Sequence, residues 1–180
     1  LYKYLVSIGE ITSYFQLGQI YEYGDEIVEI NTKYSLLLYQ KGAKFDDPRC
    51  LNELGYCYKN GCWVEKDLEK AINYYTKAVK LGHAGAMNNL AICYSAGVGV
   101  PKDKFYAMKL LKNASELNNP IAQNNLGTRY IRGLTCDINY DRAFNLFKSA
   151  IKLNNKTRNH SKWSAYLNLG ACYMKGYGTE

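Results

Sequence analysis

Proline is scarce in this chain, with three residues in 180, and histidine is scarcer, with two. Together with only fifteen glycines, this excludes a low-complexity or collagenous chain. No run of about 18 apolar residues occurs, so no transmembrane helix is expected. The chain opens on Leu1 rather than Met, with no signal peptide in view, which reads as a fragment whose targeting segment could lie upstream. No HExxH, P-loop or Ser/His/Asp pattern is present. His83 and His160 stand alone, each expected to be solvated. Gly97-x-Gly99 lacks both a preceding strand and a third glycine, so it is not a nucleotide loop. No catalytic, cofactor-binding or metal-ligating residue is therefore assigned.

What is present is an apolar fraction of 47%, enough for a continuous core, and a net charge of +7 with a pI near 9.0. A basic balance can serve nucleic acid, anionic membranes or acidic partners. Eighteen of the 23 basic residues are lysines scattered along the chain. Asn and Tyr are abundant too, so compositional drift accounts for much of the charge. Six cysteines are present, and Cys50, Cys57 and Cys62 lie seven and five apart, without the CxxC pairs of a zinc site. Cys57, Cys93 and Cys172 each precede a recurring tyrosine and read as small buried hydrophobes. Reduced cysteines suit an intracellular protein, though the secretory route stays open.

The dominant signal is a repeat. Leu17-Gly18 is followed by Tyr21 and Gly24, and Leu54-Gly55 by Tyr58 and Gly61. Leu90-Ala91 leads to Tyr94 and Gly97, Leu126-Gly127 to Tyr130 and Gly133, and Leu169-Gly170 to Tyr173 and Gly176. The anchor leucines lie 37, 36, 36 and 43 residues apart. A second string, Asp67 to Ala78, recurs as Asp103 to Ala114 and as Asn139 to Ala150.

One unit reads directly as two helices. Leu54 and Tyr58 share a helical face, and Gly55 beside it admits a close neighbour. Gly61 suits a left-handed helix end, and Asp67 suits the start of the second helix. Ala71, Tyr74, Tyr75 and Ala78 form that helix's apolar stripe. Neither helix hides its stripe alone, so successive units must stack.

The LGxxY core, the loop Gly97-Val98-Gly99-Val100-Pro101-Lys102-Asp103 and the DxxKAxxxYxKA string resemble the Sel1-like repeat family, relatives of tetratricopeptide repeats. The resemblance implies an all-α fold: a right-handed α-solenoid of antiparallel helix pairs. Repeats are expected over 14–50, 51–86, 87–122, 123–165 and a truncated 166–180, with residues 1–13 closing a preceding repeat. A cysteine-rich branch of that family staples each unit by a disulfide. The matching positions here are Val79 and Met87, so that bridge is absent.

The resemblance also implies a scaffold or adaptor, not an enzyme, that binds a protein or peptide partner on the concave face lined by first helices. One polar pattern recurs there. Asn52, Asn88 and Asn124 stand two before the anchor, and Asn89, Asn125 and Asn168 one before it. Side-chain amides can both donate to and accept from a peptide backbone. Tyr56, Lys59, Arg129, Arg132 and Lys175 lie on the same helices, and their charge would favour an acidic partner. The competing reading of the amides is a solvated face in an Asn-rich chain. The alternative function is an RNA-binding helical array using the basic surface. Sequons at Asn113, Asn155 and Asn159 matter only in the secretory route.

Overall fold

A computed structural model describes residues 12–24, 27–154 and 161–179. Among the described residues there are nine helices and no strand. They are α1 (Thr12–Tyr23), α2 (Thr32–Lys44), α3 (Pro48–Asn60), α4 (Leu68–Lys80), α5 (Ala84–Ala96), α6 (Lys104–Glu116), α7 (Pro120–Arg132), α8 (Tyr140–Asn154) and α9 (Ser161–Lys175). The helix end expected over the first nine residues, Asp25-Glu26 of the first loop, and the insert with Asn155, Asn159 and His160 lie outside the described residues.

The chain forms two compact units, residues 1–86 and 87–180. In the first, α1 packs on α2, α2 on α3 and α3 on α4, and α1 also reaches α3. In the second, α6 packs on α7, α7 on α8 and α8 on α9, and α7 reaches α9. A first helix thus touches its own second helix and the next first helix, as an all-α repeat fold requires.

The helix ends repeat as strictly as the helices. Asn31, Asp67, Asp103 and Asn139, each 36 residues from the last, begin the second helices. Each side chain accepts the backbone N–H three residues on, from Tyr34, Lys70, Tyr106 and Arg142, at 2.8–3.0 Å. Each cap's own N–H donates to the carbonyl of the recurring tyrosine, at 2.7 Å from Asn31 to Tyr21 and 2.9 Å from Asp67 to Tyr58. The loop is thereby fastened to the helix before it. First helices end on left-handed Gly24, Gly61, Gly97, Gly133 and Gly176. Two residues later Trp63, Gly99, Thr135 and Gly178 are left-handed as well. The second and fourth of these loops, which lack the second glycine, keep the same backbone and carry the strain in Trp63 and Thr135.

The turns between repeats follow the same period. Asp46, Gly82 and Asn118 are left-handed, and Asp47, His83 and Asn119 then cap the next helix. His83 differs from its expected solvated state. It is half-buried, and its Nδ1 accepts the Ala86 N–H at 3.1 Å. Burial lowers its pKa, with Asp47 opposing and Arg49 assisting.

The core is built on pairs of unequal size. A Cβ on Gly55 would lie 2.6 Å from the Tyr75 ring, and one on Gly127 2.7 Å from Phe147. Gly18 stands in the same relation to Tyr39. Tyr39, Tyr75 and Phe147 are fully buried. At the equivalent places of the third repeat stand Ala91 and Leu111, both buried. Where the first helix carries a methyl group, the second carries a smaller side chain.

The recurring tyrosine bridges each hairpin. Tyr21 meets Tyr34 edge-on at 4.7 Å, and Tyr94 meets Tyr106 likewise. At the equivalent places Lys70 lies over Tyr58 at 5.4 Å and Arg142 over Tyr130 at 5.8 Å. Aromatic and cationic groups are interchangeable there because both meet the ring's π system favourably.

Gly127→Ala should cost about 1–3 kcal/mol by overpacking. Adding Phe147→Leu, which reproduces the Ala91 and Leu111 combination, should restore part of it, read as a coupling energy in a urea double-mutant cycle. No coupling would overturn the size-matching account. His83 supplies a second test. Its lowered pKa means that its stabilising contribution is full above pH 6.5 and is lost as pH falls below that value. His83→Asn should keep the cap and lose less stability than the wild type between pH 7 and pH 5, while His83→Ala should cost about 1 kcal/mol at pH 7.

Candidate interaction face

First helices place their polar residues by position relative to the anchor leucine. In the second unit the amides one and two before the anchor meet across neighbouring helices. Asn125 Nδ2 donates to Asn88 Oδ1 at 2.9 Å, and Asn168 Nδ2 donates to Asn124 Oδ1 at 2.8 Å. In both pairs the amide one before an anchor reaches back to the amide two before the preceding anchor. Asn88 is 3% exposed, whereas Asn89, Asn124, Asn125 and Asn168 are half-buried. The row therefore links first helices to one another, and the half-buried members also show part of their surface to solvent.

In the first unit the same positions carry different chemistry. Asn52 is buried, and its Nδ2 donates to Glu53 Oε1 at 3.0 Å. Glu53 stands one before its anchor, where later repeats carry asparagine. The position it would reach back to in the same way is Phe15, which offers no hydrogen bond. Burial pushes the Glu53 carboxyl up to about 7, the Asn52 amide opposes this, and the charge of Glu22 adds to it. Glu22 Oε2 in turn accepts the Tyr39 hydroxyl at 2.6 Å. Glu22 and Glu53 were not among the expected site residues. The sequence signal for Glu53 was the break in the Asn row.

Tyr56 is 45% exposed on α3, with Lys59 Nζ 5.8 Å from its ring centroid. Arg132 and Lys175 are exposed at the ends of α7 and α9, and Lys175 Nζ lies 5.7 Å from the Tyr177 ring. Arg129 is half-buried and donates from Nη2 to Ser95 Oγ at 2.8 Å. Of the expected residues, the structure joins Asn88 with Asn125 and Asn124 with Asn168, and sets Tyr56 beside Lys59.

The charge is unevenly divided. Residues 87–180 hold thirteen basic and five acidic side chains, against ten and eleven in residues 1–86. The scattered lysines thus leave the first unit near neutral and concentrate the positive charge in the second. The six cysteines are all free thiols, and Cys50, Cys57, Cys93 and Cys172 are buried. Burial raises the pKa of Cys57 to about 12 and raises that of Cys172 as well, which disfavours a reactive thiolate. Among the described residues no group of acidic, histidine and cysteine side chains is arranged to hold a metal ion. No helix there is long and apolar enough to cross a membrane.

Five segments of the chain, 11–44, 48–83, 84–119, 120–155 and 163–180, match the Sel1 repeat. A Sel1 repeat protein from Oxalobacter formigenes is 27% identical, with a TM-score of 0.81 over 98% of this chain and 69% of that one. The protective antigen c5321 of uropathogenic Escherichia coli, which displays an SLR fold, is 24% identical with a TM-score of 0.71. That match covers 98% of this chain but only 40% of the antigen, and it is a likeness of fold alone. Cysteine rich protein B of Helicobacter pylori is 25% identical over 67% of this chain and 91% of its own, with a TM-score of 0.53. No curated protein matches the sequence.

Glu53 sets a pH dependence. Its raised pKa means that the folded state holds the proton more tightly, so its contribution is full below pH 4.5 and is lost as pH rises through about 7. Glu53→Gln should stabilise the protein at pH 8 relative to wild type by up to about 3 kcal/mol, with little difference at pH 4.5. Equal stability at pH 8 in urea denaturation would show that this carboxylate is not desolvated.

Proposed function

This chain belongs to the Sel1 repeat family, and from that premise we propose that it binds an extended, acidic segment of a partner protein along its first helices. Sel1 repeats are in general protein–protein interaction scaffolds, and their fold is typically non-enzymatic. The finer reading rests on one observation above the others: polar side chains of successive first helices form a continuous row in the second unit, Asn88 with Asn125 and Asn124 with Asn168. Amides fixed by one another are pre-ordered, which lowers the entropic cost of receiving a peptide backbone. Asn89, Arg132 and Lys175 extend the candidate face on the first helices of the second unit, while Asn52, Tyr56 and Lys59 form a candidate face of their own on α3 of the first. In tetratricopeptide-type solenoids, first helices line the concave surface.

The positive charge of residues 87–180 supports an acidic partner. Phosphates would also be drawn to such charge, but a base-reading pair of side chains in each repeat does not emerge from the row.

Affinity capture followed by mass spectrometry should identify the partner, and binding should then be measured with the purified pair. Tyr56→Ala together with Arg132→Ala should weaken binding about tenfold, roughly 1.4 kcal/mol, with Tm unchanged. Affinity should fall between 50 and 300 mM salt. Undiminished binding by the double variant would remove this face from consideration. RNA binding that persists at 150 mM salt would favour the alternative.

A further inference from the structure

Counting three residues past each anchor leucine gives Ile20, Cys57, Cys93, Arg129 and Cys172. Four of these are apolar or weakly polar, and the three cysteines are at most 1% exposed. Arg129 alone puts a charge at this otherwise apolar position. Its guanidinium is half-buried, and the hydrogen bond it makes is to the neutral hydroxyl of Ser95, at 2.8 Å. Among the described residues it forms no ion pair with a carboxylate. The other arginines of the described residues are differently placed. Arg49 is paired with Asp47, Arg142 lies over Tyr130, and Arg132 is exposed to water.

A guanidinium has five N–H donors in a planar fork shaped to a carboxylate, and removing it from water without a counter-charge is costly. Arg129 opens on a cleft of about 340 Å³ within the second unit. Polar groups of Ser95, Asn125 and Thr128 line one part of it, and Ile92 and Leu134, both partly exposed, supply apolar surface beside them. The unit around the cleft carries thirteen basic residues against five acidic ones.

We infer that the Arg129 cleft is a carboxylate-binding subsite, in which the guanidinium pairs with an acid group while Ile92 and Leu134 receive an apolar side chain next to it. The occupant is a peptide carboxylate, from a chain terminus or an acidic side chain. The inference rests on the scaffold reading above and names the chemistry of one contact within it. Charge and shape act together here: the ion pair fixes the register of the peptide, and the apolar wall excludes water from the pair.

Arg129→Cys is the natural control, because cysteine occupies this place in three other repeats. In the full 180-residue chain labelled with ¹⁵N, the Arg129 Nε–H signal is assigned by its loss in that variant. It is then followed by NMR during titration with N-acetyl-leucine, N-acetyl-leucinamide, N-acetyl-isoglutamine and inorganic phosphate. Saturable shifts with N-acetyl-leucine, absent with the amide, are expected, and Arg129→Cys should weaken binding of the acid at least tenfold. A matching response to N-acetyl-isoglutamine assigns the site to acidic side chains, and its absence assigns it to a chain terminus. No response to either carboxylate, or an equal response to the amide or to phosphate, overturns the inference. With the purified partner, retained binding by Arg129→Cys also overturns it while leaving the scaffold reading intact. Loss of binding in the Tyr56 and Arg132 variants bears on the scaffold reading alone.

Discussion

Each helical hairpin depends on a size constraint between two positions twenty or twenty-one residues apart. A glycine on the first helix leaves room for a whole aromatic ring from the second, as Gly18 does for Tyr39, Gly55 for Tyr75 and Gly127 for Phe147. The fully buried rings supply apolar area, and the missing Cβ lets the two backbones approach. In the third repeat both members change together, to Ala91 and Leu111. Summed volume is thus held roughly constant while the identity of each side chain is free to vary.

Around that pair the loops act as fasteners. The second-helix cap accepts an amide from its own helix and donates its N–H to the carbonyl of the recurring tyrosine. One residue therefore satisfies a helix terminus and fixes the angle between two helices. Since the backbone supplies half of this arrangement, the loops tolerate Trp63 or Thr135 in a left-handed conformation that glycine adopts without strain. The same logic explains how His83 can replace Asp47 or Asn119 at a turn: any side chain with an acceptor at the right reach caps the helix.

The repeats differ most at positions this framework leaves free. The row beside the anchor leucine carries Gln16, Glu53, Asn89, Asn125 and Asn168, and in the second unit Asn125 and Asn168 each meet the preceding first helix. Two asparagine pairs satisfy each other there, whereas Glu53 lacks such a counterpart and holds its proton up to about pH 7. Arg129 makes a comparable departure in the cysteine position. Both departures set an ionisable group at a place that the other repeats fill with a neutral one. Desolvation then makes each sensitive to what approaches it.

The repeat period, the two-helix unit, the glycine helix ends, the capping role of Asp67 and the burial of the recurring cysteines were legible in the sequence, because each follows from contacts within about 36 residues that recur in register. The candidate face was legible as a pattern of asparagines, but not as a set of bonded pairs, since Asn88 and Asn125 come from different repeats and their meeting depends on how helices stack. The same holds for Ser95 against Arg129, for Glu53 beside the charge of Glu22, and for His83 as a buried cap rather than a solvated turn residue. Local spacing fixes which face of a helix a residue occupies. The desolvation and the partner it meets on that face are set by a second helix brought up from elsewhere in the chain, and these only the tertiary structure decided.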